Sequence, residues 1–191
     1  MMMGFRLLAA AAAADDPVMD PRYPVGKFSL DTTVTPEKRR AWIAQLDALP
    51  TDLRQALAQL PPGGLDTPYR EGGWTARQVV HHLADSHMNA YTRIKLALTE
   101  QTPAIKTYEE QLWAELTDSK TADPSLSLAI LDGVHQRLTI VLNSLSSEQF
   151  ARTATHPQWG EMTVDFLLQL YAWHCRHHVA HVSLCGEGIR A

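Results

Sequence analysis

Seven of the nine histidines in this 191-residue chain fall in two short segments almost ninety positions apart. Residues 74–87 carry His81, His82 and His87; residues 171–181 carry His174, His177, His178 and His181. Imidazole is the commonest protein ligand for transition metals, so two such clusters point to a metal centre. His174 and His178 are four positions apart, about one helical turn, and can reach one ion from the same helix face. This is the helical half of the H-E-x-x-H pattern, but the intervening residues are Cys175, Arg176 and His177, so the glutamate that would act as general base is missing. A third imidazole from the other segment would complete three nitrogen ligands and leave one position for water or substrate, the arrangement of catalytic rather than closed structural sites. The plainer alternative is a set of core histidines bonded to backbone carbonyls.

Wound as a helix at about 100° per residue, His174, His178 and His181 share a face with Leu167, Leu170, Tyr171, Val182 and Cys185. Imidazoles in such an apolar stripe need partners, because an unpaired buried polar group costs roughly 1–3 kcal/mol. His181 lies ~10 Å from His174 by helical rise, too far for both to bind one ion, so it can act only behind the ligands. In the other segment periodicity favours His87, which falls in the stripe of Val80, Leu83, Ile94 and Leu98, while His82 sits at its edge in line with Ser86, Asn89 and Arg93. The spacing alone leaves both open. His135 and His156 lie outside either cluster and are expected on the surface or in loops.

Helices must position these groups. Thr35-Pro36-Glu37 gives an N-cap, a proline at the first helical position and an acidic first turn. Trp42, Leu46, Leu49, Leu53, Leu57 and Leu60 then recur at three and four, with Pro50 expected to kink or interrupt the helix before Pro61-Pro62-Gly63-Gly64 ends it. Thr75 caps a second helix running to about Glu100, and a short helix is expected over residues 108–116. Asp123-Pro124 opens a third long helix with Leu126, Ile130, Leu131, Val134, Leu138, Val141, Leu142 and Leu145 as its expected buried face. Residues 146–150 read as a single turn and residues 153–161 as irregular. Thr163 caps a fourth long helix ending at Gly186, and no strand pattern competes. Four amphipathic helices with links of mixed length fit an all-α four-helix bundle with a crossover connection, a scaffold that builds metal sites from facing helices.

Length fits one domain over residues 23–191, and a net charge of −4 offers no basic footprint for nucleic acid. The first residues loosely resemble a secretory signal, but the single charge, Arg6, lies inside a weak alanine-rich run. Residues 1–22 are therefore expected to be a disordered or loosely attached extension, with Met19 as an alternative start. No segment has the ~20 apolar residues of a membrane span. Cys175 and Cys185, ~15 Å apart along one helix, are expected to be free thiols, consistent with a reducing compartment.

Longer motifs carry a resemblance. Tyr23-Pro24-Val25-Gly26, the run from Leu65 through Gly72-Gly73-Trp74-Thr75, Val79-Val80-His81-His82-Leu83-Ala84-Asp85-Ser86-His87-Met88-Asn89, and Tyr171-Ala172-Trp173-His174 with His177-His178 resemble the YfiT branch of the DinB/YfiT superfamily. The resemblance implies a cytoplasmic homodimer of four-helix bundles, each binding one divalent metal, zinc or nickel, through His82, His174 and His178. It thereby prefers His82 to His87. Members are commonly labelled metal-dependent hydrolases, while some relatives are thiol S-transferases that use bacillithiol or mycothiol. The expected reaction is hydrolysis of a small-molecule substrate. The alternatives are transfer to a low-molecular-weight thiol, or a non-catalytic metal-binding dimer. Asp85, Asn89, Arg93 and His181 are candidates to line the pocket, and none is compelling as a general base.

Overall fold

The computed structural model describes residues 20–187; the alanine-rich start lies outside them. Four long helices form the bundle: α1 (Pro36–Ala58), α2 (Ala76–Thr99), α5 (Pro124–Asn143) and α7 (Val164–Glu187). α1 packs on α7 and α5, and α2 closes the ring against the same two helices. Between α2 and α5 come two short helices, α3 (Glu110–Ala114) and α4 (Thr117–Thr121), where the sequence predicts one. A single turn, α6 (Ser147–Phe150), precedes an antiparallel hairpin of β1 (Thr153–His156) and β2 (Gly160–Thr163).

The caps follow the sequence. Thr35 accepts from the Lys38 amide, Thr75 and Gln78 form a reciprocal capping box, and Asp123 accepts from the Ser125 amide. Each satisfies orphan amides of a first turn and so fixes where a helix starts. Leu46, Leu49, Leu53, Val80, Leu83, Ile94, Leu131, Leu138, Leu142, Leu167 and Leu168 then fill one core. Arg39 reaches across from α1 to α7 and donates from Nε and Nη2 to the Asp165 carboxylate at 2.8 and 2.7 Å.

Four expectations are corrected. α1 is not interrupted at Pro50, which lacks the amide that would bond the Leu46 carbonyl. That orphaned oxygen accepts from Nδ1 of His135 at 2.6 Å, so the proline's lost bond is replaced by a side chain from α5. His135 is accordingly buried, not a surface residue, and so is His156 on β1. Leu126 and Ile130, expected inside, are 61% and 39% exposed, because α5 buries the side carrying Ser127, Leu131, His135, Leu138 and Leu142. Residues 153–163 form the hairpin just described instead of irregular chain.

Residues 20–22, grouped by sequence with the loose extension, lie against α7. The Pro21 carbonyl accepts from Nε2 of His181 at 3.1 Å. Among the described residues no helix is long and apolar enough to cross a membrane. Both cysteines are free and buried.

Candidate metal centre

α2 and α7 face each other along one wall of a cavity of about 610 Å³, and their imidazoles meet there. His82, His174 and His178 offer ligand atoms that all lie within 4.8 Å of one another. His82 Nε2 and His174 Nε2 are 3.3 Å apart. Two nitrogens each about 2.1 Å from a tetrahedral ion stand about 3.4 Å apart, so the pair is spaced as ligands of one ion would be. Burial holds all three rings neutral. His82 is pushed down to about 4 by desolvation, then by His177, and His174 and His178 fall well below the usual imidazole value for the same first cause. Neutral imidazole is the form that binds metal. The donor set therefore fits a divalent ion of the zinc or nickel type.

Hydrogen bonds behind two of the three rings bear on which nitrogen is bare. A carbonyl can only accept, so His181 donates to Pro21 from Nε2; desolvation takes His181 down to about 3, so its Nδ1 carries no proton. His178 Nδ1, 3.2 Å from that bare nitrogen, must be the donor, which leaves His178 Nε2 free for an ion. On α2, His87 Nε2 lies 3.2 Å from His174 Nδ1. For His174 to bind through Nε2 its proton must sit on Nδ1, where His87 accepts it. His87 then holds its own proton on Nδ1, which has no partner among the described residues. His87 is fully buried and stacks on His135, with ring centroids 4.8 Å apart. His87 and His181 thus stand behind two of the three imidazoles.

A second group, His177, His178 and His181, also has its ligand atoms within 4.8 Å. Both of its outer bonds are already committed, since His181 is held by Pro21 and by His178. His178 cannot complete that group without giving up the bond that frees its Nε2. His81, next to His82, points to the other side, with Nδ1 2.7 Å from Ser127 Oγ and Nε2 3.2 Å from the Ala122 carbonyl.

The loop before α2 shapes the cavity mouth. The Tyr69 amide donates to the Trp74 carbonyl at 3.1 Å and closes a turn with Gly72 at φ +63°. A Cβ on Gly73 would meet Arg70 Cγ at 2.8 Å, so this tight turn needs glycine. It delivers Tyr69 to stack on His181, with ring centroids 4.0 Å apart, and Trp74 to lie 4.6 Å from His82.

Of the four pocket candidates, Arg93 and His181 line the cavity. Asp85 and Asn89 do not. Asn89 donates from Nδ2 to the Asp85 carbonyl one turn back, and the Asp85 carboxyl is pushed up to about 6 by desolvation and by Asp118 on α4. Sequence reasoning missed Tyr69, Tyr108 and His156 as cavity residues; they come from loops and the hairpin, where no periodicity marks a face. A larger groove between α1 and α7, about 1030 Å³, has six alanines in its lining and holds no histidine.

The pattern of the DinB superfamily matches residues 45–182. The chain is 51% identical over 162 residues to a Bacillus subtilis protein named "Putative metal-dependent hydrolase YfiT", covering 84% of this chain and 91% of that one. A Bacillus cereus protein (strain ATCC 14579) named "Putative metal-dependent hydrolase" is 49% identical over 164 residues, covering 86% and 94%. The solved structure of Bacillus subtilis YfiT, described as "a probable metal-dependent hydrolase with an unusual four-helix bundle topology", superposes with a TM-score of 0.84 at 49% identity over 87% of this chain and 96% of that one. With the bundle, the sequence pattern and these likenesses in agreement, the chain belongs to the DinB superfamily, in its YfiT branch.

Proposed function

We propose that the protein is a metal-dependent hydrolase in which His82, His174 and His178 hold one zinc or nickel ion and leave one position open to water or a small-molecule substrate. The observation that carries this reading is the 3.3 Å separation of His82 Nε2 and His174 Nε2 beside His178, in a cavity wide enough for a metabolite-sized ligand. A bound ion would supply Lewis acidity, polarising a carbonyl or acidifying water. The chain's own groups do the rest. His181 and His87 hold the ligand tautomers, while Tyr69 and Trp74 cover the imidazoles and limit solvent.

One observation favours a second reading, a metal-dependent S-transferase for a low-molecular-weight thiol. The only carboxylates lining the cavity among the described residues are Glu109 and Glu110, both exposed at its rim, so no buried carboxylate stands beside the triad as a general base. A thiol needs none, since it gives up its proton near neutral pH far more readily than water. A panel of esters and amides, beside thiols offered with electrophiles, separates the readings on metal-loaded protein. Turnover of esters or amides without thiol is expected; turnover only with thiol replaces the hydrolase reading by the transferase, and none of either with metal bound leaves a metal-binding dimer.

The homodimer has a candidate face on α5. Leu126, Ile130 and Ile140, the last 71% exposed, lie on one side of the helix with Gly133 and Arg137 between them. Such an apolar stripe on a bundle's outside suits a second copy. Light scattering at micromolar concentration should give the mass of two chains, and Ile130→Glu with Ile140→Glu should give that of one. A single-chain mass for the unaltered protein refutes the dimer.

A further inference from the structure

We propose that the end of the cavity beside Arg93 is an anion subsite, which takes a carboxylate or phosphate group of the substrate while the reacting group lies at the imidazole triad. The placing of the reacting group rests on the metal-dependent reading above; the subsite itself does not. Arg22, Arg39, Arg40, Arg54 and Arg77 each meet a carboxylate at 2.6–2.8 Å. Arg93, like Arg70, Arg137, Arg152 and Arg176, is in none of the ion pairs among the described residues, and of these five it is the one that lines the cavity. Its Nη1 donates to Tyr171 Oη at 3.1 Å and its Nη2 to the Lys106 carbonyl at 3.0 Å, both uncharged acceptors, and its buried Nε has no partner. A guanidinium carries five N–H donors, so most of its capacity is unused. A partly buried cation that pairs with no carboxylate among the described residues is arranged for one that arrives with a ligand.

Three neighbouring groups can donate as well, with Glu109 and Glu110 exposed at the cavity rim. Tyr171 Oη accepts from Arg93, which leaves its own proton to give, and the Tyr108 phenol lines the same cavity. His156 Nδ1 lies 3.1 and 3.3 Å from the amides of Gln158 and Trp159, which can only donate, so the neutral ring carries its proton on Nε2. Burial and the nearby Arg93 charge both keep that ring neutral. The subsite and the triad share a wall, since the Tyr171 ring lies 5.9 Å from that of His174. The class is thus a small molecule with an anionic group at one end and a hydrolysable or otherwise electrophilic group near the other; on the transferase reading it is the thiol or its partner that bears the anion.

Isothermal titration of succinate and of inorganic phosphate into metal-free and metal-loaded protein tests this, with succinamide as the uncharged control. Both anions should bind both forms, and succinamide neither. Arg93→Gln should weaken anion binding about 10- to 100-fold in both forms, the weight of charge-assisted hydrogen bonds, with metal affinity unchanged. Arg93→Lys, which keeps the charge but loses the fork, should retain a weakened binding and a normal melting temperature. Anions that bind only the metal-loaded form, and bind Arg93→Gln equally well, would be sitting on the metal and would overturn the subsite. So would equal binding of succinamide, or no anion binding at all. If the protein takes up no metal yet binds succinate through Arg93, the metal-dependent reading fails and the subsite stands.

Discussion

Alanine at His82, His174 or His178 is expected to abolish tight binding of one equivalent of divalent metal, because each removes one of only three protein ligands. Alanine at His181 or His87 should leave the site loadable but weaken it, each about 10- to 100-fold, as is usual when the group that orients a metal-binding histidine is lost. The reasons differ. Without His181, His178 Nδ1 loses its acceptor at 3.2 Å and the ring is free to carry its proton on the wrong nitrogen; without His87 the same happens to His174. His177→Ala should bind as the unaltered protein does, since that ring stacks on Trp173 and its buried Nδ1 meets nothing. Competition with a chromogenic chelator reads all six variants. Loss of metal in His177→Ala and His181→Ala, with His82→Ala still loaded, would instead assign the ion to the group of His177, His178 and His181.

Much of the scaffold was legible because its signals are local. Thr35 with Pro36, Thr75 with Gln78, and Asp123 with Pro124 mark helix starts within four residues, and the structure begins its helices there. What failed was whatever depends on a distant partner. α5 has apolar residues on two sides, and periodicity reports their spacing without saying which side meets the bundle, so Leu126 and Ile130 were assigned inside. β1 and β2 are four residues each, too short for alternation to rise above chance. His135 looked like a surface residue because its acceptor is a backbone oxygen freed by Pro50, on another helix 89 positions away. The candidate site divides the same way. His174 and His178 announce themselves by spacing, whereas the choice of His82 over His87 came from the resemblance. The carbonyl of Pro21, which fixes the His178 proton through His181, belongs to a stretch with no side-chain pattern to read.

Mild acid should destabilise the metal-free protein steeply. His82, His87, His135, His156, His174, His177, His178 and His181 all have their basicity lowered on folding, with desolvation the leading cause in each. In the unfolded chain each regains a value near 6.5. Above that value both states are neutral and these groups contribute nothing to the pH dependence. As pH falls through 6.5 the unfolded chain takes up protons that the fold refuses, so stability drops, with a limiting slope of about 1.4 kcal/mol per pH unit for a single group that stays neutral in the fold. The loss continues until the folded state itself titrates, at about 4 for His82 and His177 and about 3 for His181. Salt-bridged Asp66 and Asp132, whose carboxyls are held below their usual value by Arg77 and Arg54, add a loss of the same sign only at lower pH, below about 4. The imidazoles therefore dominate the interval from 6.5 to about 4.5, opposed there only by Asp85, whose carboxyl, raised to about 6, takes up its proton in the fold first, and urea midpoints of metal-free protein should fall across it. Bound metal, which attaches only to the neutral folded cluster, should shift that curve upward at every pH where it remains bound. His135→Gln and His87→Gln, which remove two of the titrating groups, should flatten the slope whatever they cost at neutral pH. A midpoint that stays level from pH 6.5 to 5 would show that the cluster is hydrated enough to protonate in place.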